Sequence, residues 1–337
     1  FKWLRANAPM QVLAPEGFQP FWNLTRYEDI KTVEQHKKIF INDPRPILSP
    51  DMIQALMEQM SGRKHLVRSL VQMDDPDHMK YRVLTQGWFM GNNLRRLQGR
   101  VDALATMYVD RLAELGGECD FVTDVAIWYP LRVIMSILGV PEEDEPLMLK
   151  LTQELFGGSD PDTTRSFEMM EFMNVVGDFE DYFRKLTAAR RANPTDDVAS
   201  VIANATVDGA ELPDHETNGY YIIIATAGHD TTSSSTSGGL LGLLQHPEQL
   251  MRLRQDLDRL LPTAVEEMIR WVTPVRQFMR TATEDYVLAG QKIRAGESLV
   301  LWYPSANRDE AVFSNPDRFQ VDRADAKQLA FGFGGHV

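Results

Sequence analysis

Apolar positions in this chain recur mainly at three- and four-residue intervals, the spacing of one helix face, and predict a mainly α protein. From Asp77 the helical pattern holds for about 110 residues, broken at Gly91, Gly116-Gly117, Pro130, Gly139-Val140-Pro141 and Gly157-Gly158. Within it, Leu94, Leu97, Val101, Leu104 and Tyr108 form a core-facing stripe. Asp214 follows Pro213 as an N-cap, and the helix it opens is expected to run to His246, where Pro247 stops it. Such a helix spans roughly 48 Å, enough to cross a domain. A further helix is expected over 262–271.

Elsewhere the pattern differs. Residues 27–40 form a short amphipathic stretch, and the Met-rich run 46–70 reads as a mobile loop with one short helix. Residues 286–301, with Gly290 and Gly296, read as a β hairpin or meander. The fold class expected is therefore mainly α (α+β): a large helical bundle with a long central helix and small β-sheets. No internal repeat or long linker divides the chain, so a single domain over 1–337 is expected.

Composition narrows the function classes. A 43% hydrophobic and 25% charged share suits an ordinary globular protein. A net charge of −13 argues against binding nucleic acid or an anionic membrane. No run approaches the roughly 18 apolar residues of a membrane helix. The lone cysteine, Cys119, excludes an internal disulfide framework and points to a cytoplasmic protein. The seven histidines form no ligand-spaced set, which leaves a metal-dependent hydrolase built on His229-Asp230 a remote alternative.

The chemistry lies where local rules fail. Ala225-Thr226-Ala227-Gly228-His229-Asp230-Thr231-Thr232-Ser233-Ser234-Ser235 puts weak helix formers mid-helix. Ile223, Ala227 and Thr231 share one face, where a small residue leaves room for a flat group beside a hydroxyl, with a carboxyl about 100° round the helix. That pairing suits proton delivery to a ligand; the alternative reading is a close helix crossing. Glu267 and Arg270 stand at i, i+3 and can pair. His78 and Arg82, at i, i+4, suit an anionic ligand, and Arg280 adds a third basic group in an apolar segment. Phe331-Gly332-Phe333-Gly334-Gly335-His336-Val337 is a tight loop whose backbone can approach something closely.

In this order the pieces resemble the cytochrome P-450 family of haem-thiolate monooxygenases. Ala227-Gly228-His229-Asp230-Thr231-Thr232 matches the central-helix pattern, and Glu267-x-x-Arg270 follows 36 residues after Thr231. Phe331 and Gly334, beginning 64 residues after Glu267, match the haem loop Phe-x-x-Gly-x-x-x-Cys. Residues 139–144, 225–235 and 303–319 look most like the bacterial soluble enzymes that hydroxylate terpineol and camphor.

The resemblance implies Asp230 and Thr231 as the catalytic acid–alcohol pair, and His78, Arg82, Arg280 and His336 as partners of the haem propionates. Ala227, Phe331 and Gly334 would adjoin the cofactor, haem b (iron protoporphyrin IX). Glu267, Arg270 and Arg323 would form a structural triad, although Val321 stands where a proline is common. Ile223, Ala227, Val275 and Phe278, with the loop 52–66, would line the substrate pocket, and the Met and Phe content of that loop and of 167–172 suggests an adaptable apolar lining. The family's thiolate cysteine is expected immediately after Val337; Cys119 lacks the loop pattern. The chain is accordingly expected to lack an N-terminal tip and the segment from that cysteine onward. The implied reaction inserts one oxygen atom from O2 into a small hydrophobic substrate, a terpenoid or an aromatic or alicyclic hydrocarbon. Electrons would come from a 2Fe-2S ferredoxin and its NAD(P)H-dependent reductase, with Arg95, Arg96 and Arg100 as docking patch or, equally, a solvated helix face. A peroxide-using or non-redox haem enzyme on the same fold is the alternative; such enzymes often lack the acid–alcohol pair.

Overall fold

The computed structural model describes residues 1–157, 165–166, 169–325 and 327–336, with the side chains of Asn92, Leu94, Arg96 and Met169 outside the described set. The expectations placed on Gly158, Phe167 and Val337, and on the side chains of Leu94 and Arg96, fall outside it too. The chain forms two compact units: residues 57–233, and residues 1–56 with 234–337.

The first of these units is helical. Its core gathers Leu131, Met135 and Leu138 of the helix Trp128–Leu138, Phe179 and Phe183 of the helix Met169–Ala192, and Tyr220, Tyr221 and Ala225. Phe179, Phe183 and Tyr221 stack in series, with ring centroids 5.9 and 4.9 Å apart. In the helix Asn92–Glu114, Leu104 and Tyr108 are buried and Leu97 is partly so, as the stripe requires. Gly139, at φ 72°, ends the helix Trp128–Leu138 in the left-handed conformation; a Cβ there would lie 2.0 Å from Asp197 Oδ2. The long helix runs Asp214–Gln245, one residue short of expectation.

The other unit carries the sheet. Five strands lie in the order Met10–Leu13, Phe21–Leu24, Ser298–Trp302, Gln277–Ala282, Phe40–Ile41. Phe21 pairs in parallel with Ser298, and Gln277 antiparallel with Trp302. The hairpin Tyr286–Leu288 and Gln291–Ile293 forms its own two-stranded sheet. The sheet expected late in the chain thus also recruits three early strands: Phe21–Leu24 pairs in parallel with Ser298–Trp302, Met10–Leu13 antiparallel with Phe21–Leu24, and Phe40–Ile41 antiparallel with Gln277–Ala282.

One boundary is corrected: the helix expected from Pro262 begins five residues earlier, as Leu257–Val272, with Pro262 inside it. Leu260 and Ala264, both buried, pack on Leu243, Phe319 and Val321, and this burial outweighs the lost N–H of one proline. No helix among the described residues is long and apolar enough to cross a membrane.

Candidate active site

Thr231 donates its hydroxyl to the Ala227 carbonyl one turn back at 2.7 Å. This fixes the hydroxyl on the face it shares with Ala227 and leaves its oxygen lone pairs to accept. Ala227 is exposed although Ala225, Thr226 and His229 are buried, so its face of the helix opens onto space instead of packed side chains. Ile223 lies on that face, half-buried. Gly228 serves another purpose: a Cβ there would lie 2.4 Å from Ile134 Cδ1, so it permits a close crossing with the helix Trp128–Leu138. The close helix crossing thus falls at Gly228, next to the open position at Ala227.

Asp230 has one buried carboxylate oxygen, Oδ2, with no hydrogen-bond partner among the described residues. Its Oδ1 lies 3.1 Å from His229 Nδ1. His229 is fully buried, and its Nε2 is 2.8 Å from the Ile127 carbonyl. A carbonyl can only accept, so Nε2 carries the proton and Nδ1 faces the acid. Sequence reasoning considered His229 only as part of a remote metal-hydrolase alternative, not as a partner of Asp230. Its signal was a histidine beside the acid of the central-helix motif.

In the same unit, His78 and Arg82 lie on the helix Asp77–Gln86. His78 is buried, with Nδ1 3.8 Å from Asp75 Oδ1, and Arg82 is half-buried. Arg95 and Arg100 are exposed on the helix Asn92–Glu114.

In the other unit, Glu267, Arg270 and Arg323 meet. Glu267 accepts from Arg270 Nε at 2.6 Å and Nη2 at 2.9 Å, from Arg323 Nε at 2.9 Å and from the Gln320 N–H at 2.8 Å. Arg270 also donates to the carbonyls of Asn307 and Pro316, at 2.6 and 3.0 Å. All four carboxylate contacts are charge-assisted or from backbone, and Glu267 and Arg270 are each 1% exposed.

Arg280 is buried on the strand Gln277–Ala282 and donates from Nη2 to Glu34 Oε1 at 3.2 Å. Glu34 also accepts from the Tyr303 hydroxyl at 2.6 Å. Burial pushes its carboxyl up to about 7, against the lowering pull of Arg280, Tyr303 and the Phe333 N–H. Gly332 and Gly334 both have φ 84°; added Cβ atoms would lie 2.9 Å from Glu34 Oε1 and 2.8 Å from its carbonyl oxygen. What this loop approaches within its own unit is Glu34. His336 lies 2.9 Å, through Nε2, from the Asn42 amide nitrogen, and Phe331 is exposed. Val275 and Phe278 are half-buried against the sheet's core, Phe278 edge-on to Tyr303 at 6.1 Å. Sequence reasoning passed over Glu34, although it shares a helix face with buried Tyr27, Ile30 and Val33, an acid where the pattern demands an apolar residue.

Taken unit by unit, the chemistry fits an anionic cofactor: in the helical unit buried His78 and half-buried Arg82 are basic groups that suit carboxylates, and Ala227 sets a small residue beside an acid and an alcohol, while in the other unit buried Arg280 is a further basic group. No group of three or more His, Cys, Asp or Glu among the described residues is placed to hold a metal ion.

Comparison with known proteins carries this further. The cytochrome P450 family model matches residues 16–336. Cytochrome P450-terp of Pseudomonas sp is 44% identical, covering 100% of this chain and 81% of that protein. The methyl-branched lipid omega-hydroxylase of Mycobacterium tuberculosis (strain H37Rv) is 34% identical, covering 99% of this chain and 78% of its own. The crystal structure of CYP108D1 from Novosphingobium aromaticivorans superimposes with a TM-score of 0.90 at 46% identity, covering 99% of this chain and 80% of that one. The chain belongs to the cytochrome P450 family, and is a haem-dependent monooxygenase with that fold.

Proposed function

We propose that this enzyme hydroxylates a small apolar molecule, a terpenoid or an aromatic or alicyclic hydrocarbon, with electrons from a 2Fe-2S ferredoxin and its NAD(P)H-dependent reductase. The observation that carries the monooxygenase mechanism is the pairing of Thr231 with an acid whose Oδ2 is buried and unpartnered, beside the exposed Ala227. Bound haem, with a thiolate ligand, supplies the activation of dioxygen. Everything else falls to the chain.

Asp230, with Oδ2 buried and its side chain partly exposed, would relay protons from solvent toward the bound ligand. Thr231, its hydroxyl aimed by the Ala227 carbonyl, would hold a water on that face for proton transfer. Peroxide-driven chemistry needs no such pair, so the pair speaks for reductive activation. His78, Arg82, Arg280 and His336 would hold the propionates, and Phe331 and Gly334 would flank the cofactor. Glu267, Arg270 and Arg323 would fix the segment that leads into the terminal loop. Ile223, Ala227, Val275 and Phe278 would present apolar surface to substrate.

Arg95 and Arg100, exposed in a chain of net charge −13, suit an acidic electron donor. We place the reaction in the cytoplasm, where such a donor and its reductase operate. The names of the relatives support an apolar substrate: one acts on methyl-branched lipid, and the first is called P450-terp. Titrating the haem-loaded enzyme with terpenoids, alkyl aromatics, fatty acids and steroids, while reading the haem spin state, tests the substrate class. Saturable shifts by the first two support the proposal; shifts by long lipids or steroids alone refute it.

A further inference from the structure

We propose that Glu34 is a positioning residue of the haem site: its buried carboxyl ties Arg280 to the glycine-rich terminal loop, and its proton makes the haem potential depend on pH. The inference rests on the reading that Arg280 and this loop serve the cofactor.

Geometry argues for a tie. Glu34 is 4% exposed, in the middle of the helix Tyr27–Gln35. It receives Arg280 from one strand and the Tyr303 hydroxyl from the helix Tyr303–Ala306, and the backbone of the terminal loop lies against it at Gly332 and Gly334. Three separate elements therefore converge on one side chain. The loop can come this close because Gly332 and Gly334 lack side chains where a Cβ would collide with the Glu34 carboxyl and carbonyl. An apolar residue at position 34 would satisfy the helix's buried face equally well, but would leave Arg280 without this carboxylate.

Charge argues for a coupling. The titratable and charged groups facing the carboxyl are Arg280 and Tyr303. On the loop, His336 is engaged with Asn42, and on the same helix Lys31 lies over the Tyr27 and Phe333 rings. Burial alone leaves Glu34 titrating at about 7 even with Arg280 alongside. A propionate drawing on the same guanidinium would divide its charge between two carboxylates. Glu34 then takes a proton from solvent more readily, and more readily still when the haem gains an electron.

The test is spectroelectrochemistry of the haem-loaded holoenzyme between about pH 6 and pH 8, around the position to which burial moves this carboxyl. The parent potential should fall as pH rises through this window. In Glu34→Gln, it should be nearly flat and higher at the alkaline end. Tyr303→Phe removes one bond that favours the carboxylate, so its sloping region should move to higher pH; this variant keeps the test open if Glu34→Gln does not load haem. A flat parent, or equal slopes in parent and Glu34→Gln, overturns the proposal. Arg280→Leu separates the two readings: unchanged haem retention and potential would sink the role of Arg280. An infrared band of a protonated carboxyl, lost in Glu34→Gln, would still report on Glu34 itself.

Discussion

Replacing Glu267 by Gln removes a single charge and almost no volume, yet it should be among the costliest conservative changes in the chain. Glu267 accepts four hydrogen bonds, two on each oxygen, three of them from guanidinium nitrogens. In the Gln variant one oxygen becomes an NH2, so two donors lose their acceptor and face another donor. Arg270 and Arg323 then keep their charges, with side chains only 2% and 4% exposed, and no longer have this carboxylate. Breaking a buried pair from one side costs about 3–5 kcal/mol, because the partner's charge remains out of water. With a urea slope of about 3 kcal/mol/M, the unfolding midpoint should fall by about 1 M or more. Arg252 and Asp322 supply the contrast: they pair bidentately at 2.6 and 2.7 Å, but are 47% and 37% exposed. Asp322→Asn should cost less than about 1 kcal/mol. The assay is urea unfolding of the haem-loaded protein, followed by circular dichroism and by the Soret band. Equal costs for the two variants, or less than about 1 kcal/mol for Glu267→Gln, would refute the reasoning that burial, and not the count of ion pairs, sets the energy.

Other consequences can be checked together. Thr231→Ala should leave substrate binding intact but divert electrons to hydrogen peroxide; unchanged coupling of NAD(P)H consumption to product would count against Thr231. His229→Phe takes away the imidazole beside Asp230 and should enlarge the solvent isotope effect on turnover, with His229→Gln giving a smaller change because it keeps a donor for the Ile127 carbonyl. Gly228→Ala puts a Cβ 2.4 Å from Ile134 Cδ1 and should cost about 1–3 kcal/mol, most of it recovered in the double variant with Ile134→Val, as thermal unfolding would reveal. Glu34, raised from 4.5 to about 7, favours folding below its unfolded value and loses that contribution as pH rises through about 7. Across that interval the parent should lose about 3 kcal/mol relative to Glu34→Gln; parallel stability curves would contradict it.

Local signals were legible in the sequence. The expected start at Asp214 and stop at Pro247 bracketed the long helix to within a residue, although Asp214 is its first helical residue and the Pro213 carbonyl accepts from the Thr217 N–H; two glycines marked the late hairpin. Ion-pair spacing brought Glu267 to Arg270, while Arg323 joined them only through resemblance. Long-range relations were not legible. Nothing local told Phe21–Leu24 that its parallel partner was Ser298–Trp302. Pro262 looked like a helix start because its lost N–H is a local cost, whereas the burial of Leu260 that outweighs it depends on Phe319 and Val321. Glu34 stayed hidden for the same reason, since what meets it comes from three elements distant in sequence. Gly228 was legible as a small residue, but its neighbour Ile134 was not.

A monooxygenase of this family splits dioxygen with electrons and protons and places one oxygen atom in an apolar substrate. Turnover of a spin-shifting terpenoid under isotopically heavy dioxygen, with ferredoxin and reductase supplying electrons, tests it directly. Product should carry one heavy oxygen atom, with the second recovered in water and the yield tied to reductant consumed. Product oxygen derived from solvent or from added peroxide, with no dependence on reductant, would contradict it.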